Sequence, residues 1–414
     1  MALNYVWIGF FLISFIVALV KLIFFGDVAV FSAVVNSMFD SAKTGAEISI
    51  GLVGIMTFWL GIMKIGEKAG MISLFARGVS PFFSKLFPAV PKNHPANGSI
   101  IMNFSASMLG LDNAATPVGL KAMKELQELN PVKDTATEAQ IMFLVLNTAG
   151  LVIIPTSVIA MRMANGAANP ADIFIPALIG TFISFVTGMI AVAIYQKINL
   201  FRLPILIFLG GFLALMAGLY FWMGNLPPEE IQIYANLMGG IIIFSIITLF
   251  ITYGAAKKIN IYDSFIEGAK EGFSTSIMII PFLIAILVAI GAFRATGCMD
   301  YLVNGIGFLV ASCGLDTSFV PALPVGLMKP LSGGGARGLM VDVMKTYGAD
   351  SFEGRLACII QGSTETTFYI LAVYFGSVGI TKPRYALVCG LIADLVGLIA
   401  AIVLAYIFFG YTIK

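Results

Sequence analysis

Three polar strings interrupt the apolar sequence of this chain and hold most of the groups that could do chemistry. The first is Asn103-Phe-Ser105-Ala-Ser107, followed by Gly110-Leu-Asp112-Asn113-Ala-Ala-Thr116-Pro117. Asn-Ala-Ala-Thr-Pro reads as a helix start, with Asp112 or Asn113 as cap and Pro117 in the first turn. A capped turn alone does not need Asn103, Ser105, Ser107, Asp112, Asn113 and Thr116 together at membrane depth, where each polar group is costly. A surface that faces a solute or an ion does need them.

The second string runs from Lys329 through Ser332-Gly-Gly334-Gly-Ala-Arg337-Gly338. Its letters fit G-x-G-x-x-G, but no strand precedes it, so a dinucleotide site lacks its context. Glycines before a helix instead aim free N–H groups at one point, which favours anions. Arg337 and Lys329 add positive charge to it, although an arginine snorkelling to the interface is the plainer alternative.

The third and densest string is Gln361-Gly-Ser363-Thr364-Glu365-Thr366-Thr367-Phe-Tyr369. Hydroxyls and freed carbonyls suit Na⁺ or a polar solute, and Glu365 suits proton or cation coupling. Alternatively, Glu365 is the structural counter-ion of Arg337. Milder polarity recurs at Asn147-Thr148 before Pro155, and Asp394 is a lone acid well inside an apolar run.

These groups must be positioned by membrane helices. Of 414 residues, 59% are hydrophobic and only 11% charged. Apolar runs near 5–24, 45–64, 138–162, 171–196, 202–224, 231–255, 274–292, 353–378 and 384–410 are long enough to cross a bilayer. Shorter amphipathic stretches at 28–43, 66–87, 260–272 and 295–313 lie between them. The first run has no basic flank or small-residue cleavage site and reads as a retained helix. The single histidine, His94, removes HExxH and Ser-His-Asp chemistry, and the four cysteines are scattered with no CxxC. The expectation is a non-enzyme without cofactor, metal or nucleic-acid partner.

The order of parts repeats. Residues 1–200 read as one unit, 201–230 as a linker, and 231–414 as a second unit, with interrupted segments at 97–126 and 315–346. If both interrupted segments re-enter, basic residues split roughly 15 to 7 in favour of the side of the N-terminus. If both cross, the split is roughly 9 to 13. The expected fold is therefore an all-α polytopic membrane protein with two inverted-topology repeats, each carrying a re-entrant helical hairpin and a broken helix. Its N-terminus is expected in the cytoplasm and its C-terminus outside.

The strings also carry a resemblance. Leu109-Gly-Leu-Asp-Asn-Ala-Ala-Thr-Pro-Val-Gly-Leu120 resembles bacterial spore maturation protein A. Pro330-Leu-Ser-Gly-Gly-Gly-Ala-Arg-Gly338 and Gly362-Ser-Thr-Glu-Thr-Thr-Phe-Tyr369 resemble spore maturation protein B. The resemblance implies the nucleoside-recognition or gate domain, also present in ferrous iron transporters and related to concentrative nucleoside transporters. It implies two hairpins meeting two unwound helices around a central site in the bacterial inner membrane. The iron transporters' cysteine motif is missing from both tips. The function expected is ion-coupled secondary transport of a small polar, anionic solute. A non-transporting scaffold or regulator of envelope or spore-cortex assembly is the rival. The expected partners are the lipid bilayer, the solute and a coupling Na⁺ or H⁺, with a homo-oligomer compatible.

Overall fold

The computed structural model describes residues 2–110, 112–224 and 228–413, and among them the fold is helical throughout. Chain order gives α1 (Ala2–Phe25), α2 (Val30–Ala69), α3 (Met71–Leu86), α4 (Pro95–Met108), α5 (Asp112–Glu128), α6 (Glu138–Ala149), α7 (Thr156–Ala164) and α8 (Phe174–Gln196). The connector α9 (Leu203–Gly224) follows. The sequence of parts then recurs as α10 (Pro228–Ala256), α11 (Ile261–Ala295), α12 (Cys298–Ser312), α13 (Leu323–Met328), α14 (Gly333–Tyr347), α15 (Phe352–Ser363), α16 (Thr367–Gly376) and α17 (Ala386–Phe409).

Six helical segments among the described residues are long and apolar enough to cross a membrane: Asn4–Phe25, Val30–Ala69, Phe174–Gln196, Ile261–Ala295, Phe352–Gly376 and Ala386–Thr412. The chain is a multi-pass membrane protein. The expected run at 138–162 is divided into α6 and α7, and 202–224 and 231–255 fall within α9 and α10.

Local chemistry sets the ends. Gly70 in the left-handed region (φ 86°) closes α2, and Pro95 opens α4 behind the His94 cap. Thr137 and Gln140 form a reciprocal capping box at α6, while Ser332 and Ser351 cap α14 and α15. One expectation needs correction. The stretches 28–43 and 260–272 are not separate amphipathic helices but the first turns of α2 and α11. No proline or left-handed glycine separates them from the apolar run, so the helix continues. At 40 residues α2 spans about 60 Å, roughly twice a hydrocarbon core.

Elements pair with their counterparts. α2 lies along α11, and α8 along α17. α1 packs on α11 as α10 packs on α2. The α2–α11 crossing is tight because Gly268 and Gly272 present no side chain: a Cβ there would collide with the carbonyls of Leu60 and Met56. Ser184 of α8 donates to the Ala393 carbonyl of α17 at 3.0 Å. α4 and α5 pack together as one helical hairpin; in the second, a short 3-10 turn and α13 stand opposite the longer α14.

Candidate functional site

Both breaks foreseen at the polar strings are present, and each leaves backbone groups that something must satisfy. α6 stops at Gly150 (φ +51°). Thr181 of α8 then donates to the Gly150 carbonyl at 2.6 Å and accepts from the Val152 N–H at 3.2 Å. The Ile153 N–H donates to the Met108 carbonyl at the first hairpin's tip, 2.8 Å away. The second break, 364–366, is held in the same manner. The Phe368 N–H donates to the Pro330 carbonyl on the second tip at 3.0 Å, and Thr367 donates its hydroxyl to Asp394 of α17 at 2.5 Å. The two breaks also meet: the Glu365 N–H reaches the Thr148 carbonyl at 2.8 Å.

Beside this junction lies a cavity of about 230 Å³. The first hairpin contributes Phe104, Ser107, Met108, Ala115 and Thr116; the first break contributes Leu146, Asn147, Gly150, Leu151 and Val152. Phe185 of α8 joins them, and the second half contributes Glu365, Tyr369, Ile370 and Tyr374. Neither half encloses it alone.

Of the residues singled out from the sequence, Ser107, Thr116, Asn147, Glu365 and Tyr369 line this cavity. A second group forms a polar node next to it. Asp394 is 7% exposed, bonded by Thr367 and Thr364, and close enough to the buried Lys329 for that charge to act on it. Its Oδ1, the Thr148 hydroxyl and the Gln361 side-chain oxygen are buried without a hydrogen-bond partner. Buried polar atoms left so are expensive, and functional sites are where they persist.

The others have structural surroundings. Asn103 is fully buried and braces the first hairpin by donating to the Ala115 carbonyl at 2.9 Å. Ser105 and Ser363 bond back to their own helices, at Ile101 and Ile360. The side chains of Asp112 and Asn113 lie outside the described residues. Gly334 is exposed, and the glycine run is the first turn of α14, with Ser332 accepting from the Gly335 N–H at 3.0 Å. The run's smallness serves contact, since a Cβ on Gly333 would stand 2.7 Å from the Thr366 hydroxyl. Arg337 is half-buried, lines no part of this cavity, and among the described residues pairs with no acid. It is therefore not the counter-ion of Glu365.

Sequence reasoning missed two sets of contacts at opposite ends of the α6–α7 segment. At one end, Arg162 (0% exposed) meets Asp172 at 2.9 Å and Asp350 at 3.0 Å, while Arg355 meets Asp172 at 2.7 Å. Arg162 also donates to the Ala349 carbonyl at 2.7 Å, so the network ties loop 165–173 to loop 348–351. At the other end, loop 129–137 is joined to loop 377–385 by an exposed Asp134–Lys382 pair at 2.7 Å and by backbone bonds between Asp134, Ala136, Thr381 and Lys382. Hydrogen bonds from Lys382 and then Thr135 hold the Asp134 carboxyl below the usual carboxylate range. Arg162 and Arg355 each sit in segments whose hydropathy reads as span, so only their acid partners in distant loops could have flagged them.

Comparison with known proteins gives the family. A family model for nucleoside recognition, Gate, matches residues 49–165 and 276–381. The chain is 40% identical over 187 residues to spore maturation protein A of Bacillus subtilis, covering 45% of this chain and 92% of the relative. It is 44% identical over 165 residues to spore maturation protein B of the same organism, covering 40% of this chain and 91% of that relative. No solved structure matches. The matched segments run from α2 to the loop after α7 and from α11 to the loop after α16, and so contain both hairpins and both breaks. With two such segments making up more than half its length, the chain belongs to the nucleoside-recognition (Gate) family.

Proposed function

We propose that the chain is an ion-coupled secondary carrier of a small polar solute in the bacterial cytoplasmic membrane. The observation that carries this reading is the cavity at the junction of the two breaks, walled by both halves and with Ser107, Thr116, Asn147 and Glu365 among its lining residues. A carrier needs a site shared by two bodies that move against each other, and broken helices there supply polar groups without exposing backbone to lipid. In this reading residues 1–200 and 231–414 are the two gate repeats, joined by a linker at 201–230. The second repeat lies upside down relative to the first, and the hairpins re-enter from opposite faces. The mutual pairing of α2 with α11 and α8 with α17 supports a two-fold relation. Two of the seven basic residues that the sequence assigns to the far side, Arg162 and Arg355, are buried against acids, which supports the charge bias.

Thr116, Asn147 and Tyr369 would contact the solute, with Asn103 bracing the first hairpin. Asp394 and Glu365 would take the coupling Na⁺ or H⁺, with Thr148, Thr364, Thr366, Gln361, Ser363 and Lys329 around them. Ser332, Gly334 and Arg337, on which an anion was expected to rest, are not among the residues lining this cavity, and its described lining holds no Lys, Arg or His.

Topology is testable by single cysteines at Lys85 and Glu128 in a background without the four native cysteines. Both should react with an impermeant thiol reagent from the cytoplasmic side only; reaction from opposite sides would make 97–126 a crossing and remove the inversion. Transport is testable in proteoliposomes with an imposed Na⁺ or proton gradient and pooled nucleosides, dicarboxylates, amino acids and peptidoglycan fragments. Gradient-dependent accumulation of at least one solute is expected for the natural chain and not for Glu365→Gln. Both relatives are named for spore maturation, which favours a scaffold or regulator of spore assembly as the second reading. Absence of any gradient-driven uptake would favour that reading.

A further inference from the structure

The charge and shape of the cavity point beyond a generic polar solute. Among the described lining residues Glu365 carries the one formal charge. Its side chain has no hydrogen-bond or ion-pair partner among the described residues. Four aromatic rings, Phe104, Phe185, Tyr369 and Tyr374, share the lining with it. Asn147 uses its amide N–H on the Phe143 carbonyl at 2.9 Å, which leaves its side-chain oxygen as an acceptor.

An acid at membrane depth is stabilised by a cation more than by any neutral group. Ring faces are negative at their centres and attract the same sign of ligand. A bare Na⁺ would be a poor fill for a chamber of about 230 Å³, since a water occupies about 30 Å³ in the liquid and several would have to enter with the ion. We propose that this cavity binds a small organic cation, an ammonium group on a compact, partly apolar body. The ammonium sits against Glu365 and the Asn147 oxygen, and its alkyl groups lie on the rings. This rests on the reading of the cavity as the solute chamber. It divides the acids: Glu365 faces the solute, and Asp394, outside the cavity lining, is left for the coupling ion.

The test uses the full chain in detergent, with thermal unfolding followed against choline chloride and tetramethylammonium chloride. Sodium chloride, potassium chloride and sodium glutarate at matched ionic strength are the comparison arms. Saturable stabilisation by the organic cations is expected. Glu365→Gln should weaken it at least tenfold, Glu365→Asp should keep part of it, and Arg337→Ala should leave it unchanged. Equal stabilisation by sodium chloride would make this an inorganic-ion site and overturn the proposal, as would stabilisation by glutarate alone. If Glu365→Gln does not fold, Tyr369→Ala, an exposed position, serves instead and should weaken the organic cations selectively. Cation binding without uptake in liposomes would remove the carrier reading and leave this inference standing. Uptake of another solute without cation binding would do the reverse.

Discussion

Arg162→Ala is expected to destabilise the protein by about 3–5 kcal/mol, the range for breaking a buried ion pair from one side. The guanidinium is fully buried and is held by Asp172, Asp350 and the carbonyls of Ala349, Asn169 and Pro170. With Arg355 it forms a set of two cations and two acids, so the group is neutral as built. Truncating Arg162 leaves Asp172, itself 1% exposed, with one cation where it had two. Three carbonyls would lose their donor as well, in a place water does not reach. Lys43→Ala is the comparison, because its partner Glu47 is 4.0 Å away and both side chains are mostly exposed. Such a pair is worth at most about 1 kcal/mol. Denaturant midpoints in a fixed detergent would compare the two. Equal, small shifts would mean that loops 165–173 and 348–351 are not locked together.

The same network marks where the sequence was legible and where it was not. Apolar length, the polar interruptions and the order of parts located the hairpins and both breaks, because each is a local property of composition. The cavity partners Thr116, Asn147, Glu365 and Tyr369 were legible for the same reason: a polar residue in an apolar run needs explaining. Thr181 and Phe185 were not, since one hydroxyl or one ring in α8 is ordinary for a membrane helix. Their roles come from packing, where α8 lies against α17 and beside the first break. Arg162 and Arg355 lie within apolar runs that read as spans, and the bonds that tie the two loops together join residues 188 and 183 apart in sequence. Arg337 is not among the residues lining this cavity. Its glycine-rich neighbourhood resembles an anion loop, yet those glycines are a helical first turn that lets Thr366 approach. The merging of 28–43 into α2 shows the limit of hydropathy, which sees where the membrane ends and not where the helix ends.

Gly150→Leu is expected to cost roughly 2–5 kcal/mol, from about 1–2 for a side chain in the left-handed region and about 1–3 for overpacking. Gly150 sits at φ +51°, and a Cβ there would lie 2.8 Å from the Glu365 Cγ and 3.4 Å from the Glu365 N. The nitrogen belongs to the bond that joins the two breaks, so the collision falls on the junction itself. A larger side chain must push Glu365 away from Thr148 or fill the cavity that both line. Gly70→Leu separates the two contributions. Gly70 is left-handed too, at φ +86°, but no heavy atom lies within 4 Å of its Cβ position, so only strain of about 1–2 kcal/mol applies. Unfolding midpoints for both variants would give the contact contribution as their difference. Ser107→Cys added to each would report on the cavity, since its thiol should lose reactivity in the Gly150 variant and keep it in the Gly70 variant. If Gly150→Leu proves no costlier than Gly70→Leu and the thiol stays reactive, the breaks do not meet in the membrane, and a site shared between the two halves has no structural basis.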